Sequence, residues 1–224
     1  MGAEKSLDVK DREDVWYLVT TLKSLAAGNV GAVLDSFWKR HRTQIHERLT
    51  PEAYRSELES RQQQLLAHAC MVLNQKIGND SDDPKLVSNW CVRGSGDEFN
   101  NFRAVVYDRN LVKRKPDPSD WKPIQADRPG ASEAFLTGNI SVVDDVSQFG
   151  DVFDLNKTYK SILSIPVVVG KNVFGVMNID AEKPHTLRVE YGELVLDIAF
   201  LIGFCEVLKR ETIDKDDSDV SKIH

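Results

Sequence analysis

Two apolar, β-branched runs, residues 161–169 and 173–179, lie almost back to back in this chain, with only Gly170, Lys171 and Asn172 between them. Runs of that composition and length are strands. A three-residue gap holding Gly and Asn, which tolerate positive φ, makes them a local antiparallel hairpin. Pro166 has no amide proton to give to a ladder, so its place is at an edge or a bulge. Gly175, inside the second run, removes a side chain where a helix or a ligand comes close. A loop over residues 180–188 then leads to a helix. There Leu194, Ile198, Leu201, Cys205 and Leu208 recur at helical spacing, and Val195, Phe200, Ile202 and Phe204 widen the stripe to most of the circumference. A helix apolar on so many sides is covered on more than one: the sheet takes one side, and a second helix, from this chain or a partner, takes another.

Upstream, three helical stripes precede this unit. One runs through Val15, Leu18, Val19, Leu22 and Leu25, and a second through Val30, Val33, Leu34, Phe37, Trp38 and Ile45. Thr50 then offers a capping hydroxyl ahead of Pro51, and the third helix follows through Leu58, Leu65, Leu66, Ala69 and Leu73 to about Gly78. Residues 79–85 read as a loop, 87–92 and 102–107 as strands, 111–120 as a charged loop broken by proline, and 122–125 as a short edge strand. The organisation expected is a helical extension over 1–49, an α+β domain over 50–208 and a mobile polar tail over 209–224.

Several stretches together resemble the GAF domain family, a ligand-sensing fold. They are Tyr159-Lys160-Ser161-Ile162-Leu163-Ser164-Ile165-Pro166, then Val173-Phe174-Gly175-Val176-Met177-Asn178-Ile179-Asp180, then Tyr191-Gly192-Glu193-Leu194. Upstream, residues 129–138 followed by Ile140-Ser141-Val142-Val143-Asp144-Asp145-Val146 are similar to the family's helix, turn and strand. The resemblance implies a GAF-like central antiparallel sheet flanked by helices, with a ligand held between the sheet and the segments before the last hairpin. It also implies an assembly through helices, as a homodimer or with a protein partner.

The composition narrows the function. With a net charge of −6, a nucleic-acid partner is not expected. No run approaches the length that spans a bilayer, and no secretory signal opens the chain, so the expected setting is cytoplasmic. Cys70, Cys91 and Cys205 are scattered, with no metal spacing, and His41 and His46 are five apart, off the one-face spacing of a helix. Family members that reduce free methionine sulfoxide need a nucleophilic and a resolving cysteine in the loops around the pocket, and neither is present there. A bilin attachment pair of cysteine and histidine is missing too. Asn156-Lys157 occurs without the phenylalanine and Asp-Glu that complete the cyclic-nucleotide signature. The chain is therefore expected to be no enzyme and to carry no cofactor or metal.

The ligand is expected at residues 144–159, whose aromatics exceed what a connector needs. Phe149, Phe153 and Tyr159 would wall a flat molecule, and Asp145, Asp151, Ser161 and Asn178 would supply polar contacts in an otherwise apolar cavity. Equally, Phe149 and Phe153 close the core over the sheet; on either reading both are substantially buried. Asp144 and Asp145 are adjacent, but successive strand side chains point to opposite faces, so a helix cap suits one of them better than a shared acid/base site. Two functions remain: a small-molecule sensor signalling through its helices, and an assembly module with a self-filled pocket.

Overall fold

The computed structural model of the protein describes residues 50–77, 85–108, 117–150, 152–153, 158–169 and 172–220. The helical stripes expected over 1–49, most of the loop at 79–85, residues 111–116 of the charged loop and the hairpin residues Gly170 and Lys171 lie outside the described residues. The chain divides into two compact units, Met1–Tyr54 and Arg55–His224.

Helix α1 spans Pro51–Ile77, and Thr50 Oγ1 accepts from the Ala53 amide at 3.3 Å, the cap that a Thr-Pro start dictates. Buried along it are Tyr54, Leu58, Gln62, Leu66, Ala69 and Leu73, three or four residues apart, with Cys70 beside Ala69. Six strands follow among the described residues: β1 Val87–Arg93, β2 Asn101–Tyr107, β3 Lys122–Pro123, β4 Ser141–Val143, β5 Ser161–Val169 and β6 Asn172–Ala181. They form one antiparallel sheet in the order β3-β2-β1-β6-β5-β4. Helix α2, Ala131–Thr137, stands between β3 and β4 in the chain; α3, Val189–Leu194, and α4, Leu196–Val220, close it. The architecture is α+β.

The hairpin registers Ser161 against Ala181 and Val169 against Asn172, so Asn172 belongs to the second strand and the connection is one residue shorter than its composition suggests. Pro166 lies beyond the reach of β4, which pairs only with Ile162, Leu163 and Ser164, and just ahead of an irregularity between Val167 and Val168. Edge and bulge both accommodate its missing N–H. Gly175 is explained by packing: a Cβ there would meet the Trp90 indole at 2.1 Å and the Cys91 carbonyl oxygen at 2.8 Å. The close neighbour is thus the cross-strand tryptophan.

Strand alternation divides the sheet into two unlike faces. Trp90, Val92, Val106, Leu163, Ile165, Met177 and Ile179 form the main core with Leu66, Ala69 and Leu73 of α1 and Ala199 and Ile202 of α4. The last helix departs from its sequence reading. Val195, at φ −115° and ψ 11°, interrupts it and rotates the turns beyond that point. Leu194 is left 51% exposed, while Ala199, Ile202, Phe204, Cys205 and Leu208 are buried. The helical backbone then continues to Val220, into the stretch expected to be polar tail.

One buried polar link joins the two long helices. The Gln62 side-chain amide donates to the Ile202 carbonyl at 3.0 Å and to Glu206 at 3.4 Å, and Lys209 Nζ donates to Gln62 Oε1 at 3.1 Å. Gln62→Ala is expected to lower stability by about 1–3 kcal/mol, because the amide that serves the Ile202 carbonyl and Glu206 out of water is lost. Urea titration reads the loss. An unchanged midpoint would mean that water replaces the amide.

Candidate functional site

The second face of the sheet carries polar groups where an ordinary core would be apolar. Asn89 on β1 pairs with Asn178 on β6, Asn178 pairs with Ser164 on β5, and Cys91 lies two residues along from Asn89 on the same face. Their side chains form a ladder. Ser164 Oγ donates to Asn178 Oδ1 at 2.7 Å. The Asn178 amide donates to Asn89 Oδ1 at 3.1 Å and to Cys91 Sγ at 3.3 Å. The Cys91 thiol donates to Asn89 Oδ1 at 3.2 Å. Ser164, Asn178 and Cys91 are all buried. A neutral network whose members satisfy one another bears burial that isolated groups would not, and it fixes each side chain in one orientation.

Two apolar clusters flank the ladder. At one end Ala134 and Phe135 of α2 pack on Cys91, Val173 and Val176, with the Phe102 and Phe135 rings 5.4 Å apart. At the other, Val146 and Phe153 pack on Val143 and Ile162, with Val152 and Tyr159 beside them. Gly130, at φ 80°, precedes α2, and a Cβ placed on it would stand 3.7 Å from Ser164 Oγ. Only glycine adopts that conformation freely so close to the ladder. Two residues earlier, the Arg128 guanidinium lies over the Phe153 ring, 5.6 Å from its centroid.

The structure brings some of the expected site residues together and separates others. Asn178 is the centre of the ladder. Ser161 is buried but alternation puts it on the opposite face, where its hydroxyl donates to the Lys183 carbonyl at 3.0 Å. Phe153 and Tyr159 belong to the flanking apolar cluster. Phe149, expected to be buried, is 38% exposed, meeting Phe153 edge-on at 6.4 Å between ring centroids. It ends a short 3-10 turn, Val146–Phe149, which lifts its ring off the sheet. Asp145 caps that turn, accepting from the Ser147 amide at 2.9 Å and hydroxyl at 2.7 Å. The Ser147 hydroxyl, then its amide, hold the Asp145 carboxyl below the usual range. Asp151 lies outside the described residues. Asn89 and Ser164 are missed by the sequence reading, although each is a polar residue at an inward position of a strand otherwise rich in apolar residues.

Burial pushes the Cys70 thiol up to about 12 and the Cys205 thiol up to about 11; a Ser88 hydrogen bond opposes the first shift and the Arg61 charge the second. The thiolate is the reactive form. With raised values, both cysteines are expected to resist a thiol-titrating disulfide reagent at about pH 8 in the folded protein and to react fully after denaturation. Fast labelling of either before unfolding would contradict the burial. Among the described residues no group of His, Cys, Asp and Glu is placed to hold a metal ion, and no helix is long and apolar enough to cross a membrane.

The sequence model of the GAF domain family matches residues 50–205. Solved structures with a similar fold include one described as the structure of the GAF domain, 15% identical, covering 70% of this chain and 90% of that one with a TM-score of 0.46. Another is a type II free methionine-R-sulfoxide reductase from Thermoplasma acidophilum, 16% identical, covering 66% and 94% with a TM-score of 0.45. A third is a methyl-accepting chemotaxis protein, residues 122 to 287, 16% identical, covering 69% and 96% with a TM-score of 0.44. No curated protein matches the chain. The family match extends from the capping Thr50 of α1 to Cys205 of α4 and takes in the whole sheet and its polar ladder, and the chain belongs to the GAF domain family.

Proposed function

We propose that this GAF domain is a non-catalytic small-molecule sensor whose ligand rests on the Ser164–Asn178–Asn89–Cys91 ladder. The observation that carries the reading is the ladder itself. Four neutral polar side chains between two apolar clusters are the division of labour of a small-molecule site, in which apolar walls supply affinity and a few fixed polar groups supply orientation. Arg128 at the rim favours a ligand with a negatively charged or strongly polar end. The strands offer a route outward. Ser164 and Asn178 alternate along β5 and β6 with Leu163, Ile165, Met177 and Ile179, which pack under α1 and α4. A ligand that binds one setting of those strands better than another shifts the helix pair by that difference in affinity. In this reading α1 and α4 carry the signal to a protein partner or to a second copy in a homodimer, from a cytoplasmic setting.

A thermal-shift screen with amino acids, nucleotides and other small metabolites tests the reading, coupled to native mass spectrometry of protein purified from its host. A ligand at about a hundredfold its Kd adds about 2.7 kcal/mol, and in a domain of this size that raises Tm by about 5–10 °C. A flat response across the library together with an unliganded mass would mean that the module fills its own pocket and acts only in assembly.

A further inference from the structure

The polar ladder has a direction. Ser164, Asn178, Asn89 and Tyr107 lie opposite one another on β5, β6, β1 and β2, so the row crosses four adjacent strands. Ser164 Oγ gives its proton to Asn178 Oδ1, and the Asn178 amide gives away both of its N–H groups, to Asn89 Oδ1 and to Cys91 Sγ. Asn89 Oδ1 also takes the Cys91 thiol proton. An amide oxygen has two lone pairs, so that of Asn89 is full. Its nitrogen is not engaged. The two N–H donors of Asn89 Nδ2 have no hydrogen-bond partner among the described residues.

The two ends of the row also differ in access. Ser164 is fully buried, with Gly130 close over its hydroxyl. Asn89 is half-buried, and so is Tyr107, its cross-strand neighbour on β2. An amide that accepts bonds on its oxygen is polarised by them and donates more strongly from its nitrogen. Asn89 accepts two such bonds, one from Asn178 and one from Cys91. On its accessible side the row therefore ends in a pair of strengthened donors without an acceptor, next to an aromatic residue.

With the ladder as the ligand site proposed above, we infer that the Asn89 side-chain amide selects the ligand, and that the ligand brings it a carbonyl-type oxygen, of an amide or of a carboxylate. Such an oxygen accepts the N–H groups that the ladder leaves over and so completes the row. Other chemistries fit less well. An edge carrying a donor beside an acceptor, as adenine presents to an asparagine, needs the asparagine oxygen as well as its nitrogen, and Asn89 Oδ1 is already filled from Asn178 and Cys91. A group that only donates, such as an amidinium, would set N–H against N–H. The buried partners hold the Asn89 amide in this orientation, so it cannot turn its oxygen outward without breaking two bonds.

The experiment uses the isotope-labelled full chain and three planar probes of one shape: benzamide, benzoate and benzamidine. The first two present an oxygen acceptor, neutral in one and anionic in the other, and the third puts N–H donors in its place. Side-chain amide resonances are followed during titration to millimolar concentration. Benzamide or benzoate is expected to move the Asn89 NH2 pair ahead of every other side-chain amide, the tighter of the two giving the charge of the preferred oxygen, and benzamidine to bind about tenfold or more weakly. Asn89→Asp keeps the oxygen that serves Asn178 and Cys91 and removes only the donors, so the ladder stays assembled and the melting temperature stays near that of the unaltered protein. In that variant the oxygen probes should bind about tenfold or more weakly and benzamidine should become the tightest of the three. Benzamidine binding the unaltered chain as well as the oxygen probes do, or undiminished binding of those probes by Asn89→Asp, overturns the donor assignment and leaves the ladder as the site. Ladder amides unmoved by all three probes also overturn it; if the tightest hit of the thermal screen leaves them unmoved as well, the site itself falls.

Discussion

Trp90→Ala is expected to cost about 3–5 kcal/mol of unfolding free energy, the range for removing a large buried aromatic and leaving a cavity. In a unit of this size that lowers Tm by about 6–20 °C. Trp90 is fully buried in the main core. Its indole fills the space left by Gly175, where a Cβ would fall 2.1 Å from it. The indole N–H has no hydrogen-bond partner among the described residues, so Trp90→Phe removes a costly orphan donor along with part of the volume and should be much milder than the alanine change. Gly175→Ala supplies the converse. Alone it should cost about 1–3 kcal/mol by overpacking. In the Trp90→Ala background most of that penalty should vanish, leaving the approach to the Cys91 carbonyl. Denaturant unfolding of the four proteins in the cycle gives the coupling. Strict additivity would mean that Gly175 is not there to admit the tryptophan.

The second large effect is on binding. Asn178→Leu keeps the branched shape at the centre of the ladder and removes its hydrogen bonds, leaving Ser164 Oγ without its acceptor and Asn89 and Cys91 with only the bond between them. The orphaned Ser164 hydroxyl costs about 1–3 kcal/mol, so stability should fall measurably. Affinity for the ligand recovered by screening should fall about a hundredfold, because the side chains that orient it have lost both a partner and a fixed position. Calorimetric titration beside a chemical melt separates the two. A variant that loses stability yet binds normally would leave Asn178 a purely structural residue. The exposed Phe149 serves as control: Phe149→Ala should alter neither quantity much.

The fold is largely legible in the chain because its signals are local. The hairpin at residues 161–181 declares itself through composition and spacing, α1 through a threonine-proline cap and one apolar stripe, and β1 and β2 through short β-branched runs. The last helix misleads for a physical reason. Its apolar side chains form one continuous stripe only if the helix is unbroken, and the turn at Val195 resets the phase, exposing Leu194 and burying Ala199. The candidate site is half legible. Asn178 stands out as an amide within an apolar strand, and one of Asp144 and Asp145 as a cap. Ser161 is misplaced when hydrogen-bonding capacity is weighed without alternation, which sends Ser161 and Ser164 to opposite faces of β5. Counting parity from Asn178 across the hairpin register picks Ser164, but that register exists only once the strands are paired. Asn89 lies 89 residues from Asn178 along the chain and no local pattern joins them.

The central claim is that the polar face of the sheet, and not the helix-covered face, receives a small molecule. Its most direct test is a two-dimensional amide spectrum of the isotope-labelled protein, recorded with and without the tightest hit of the thermal screen. The expected result is a compact set of shifts at Asn89, Cys91, Ser164, Asn178 and Gly130, with a weaker response in α1 and α4. Shifts confined to the helices, or a bound molecule that leaves Ser164 and Asn178 unmoved, would contradict the account.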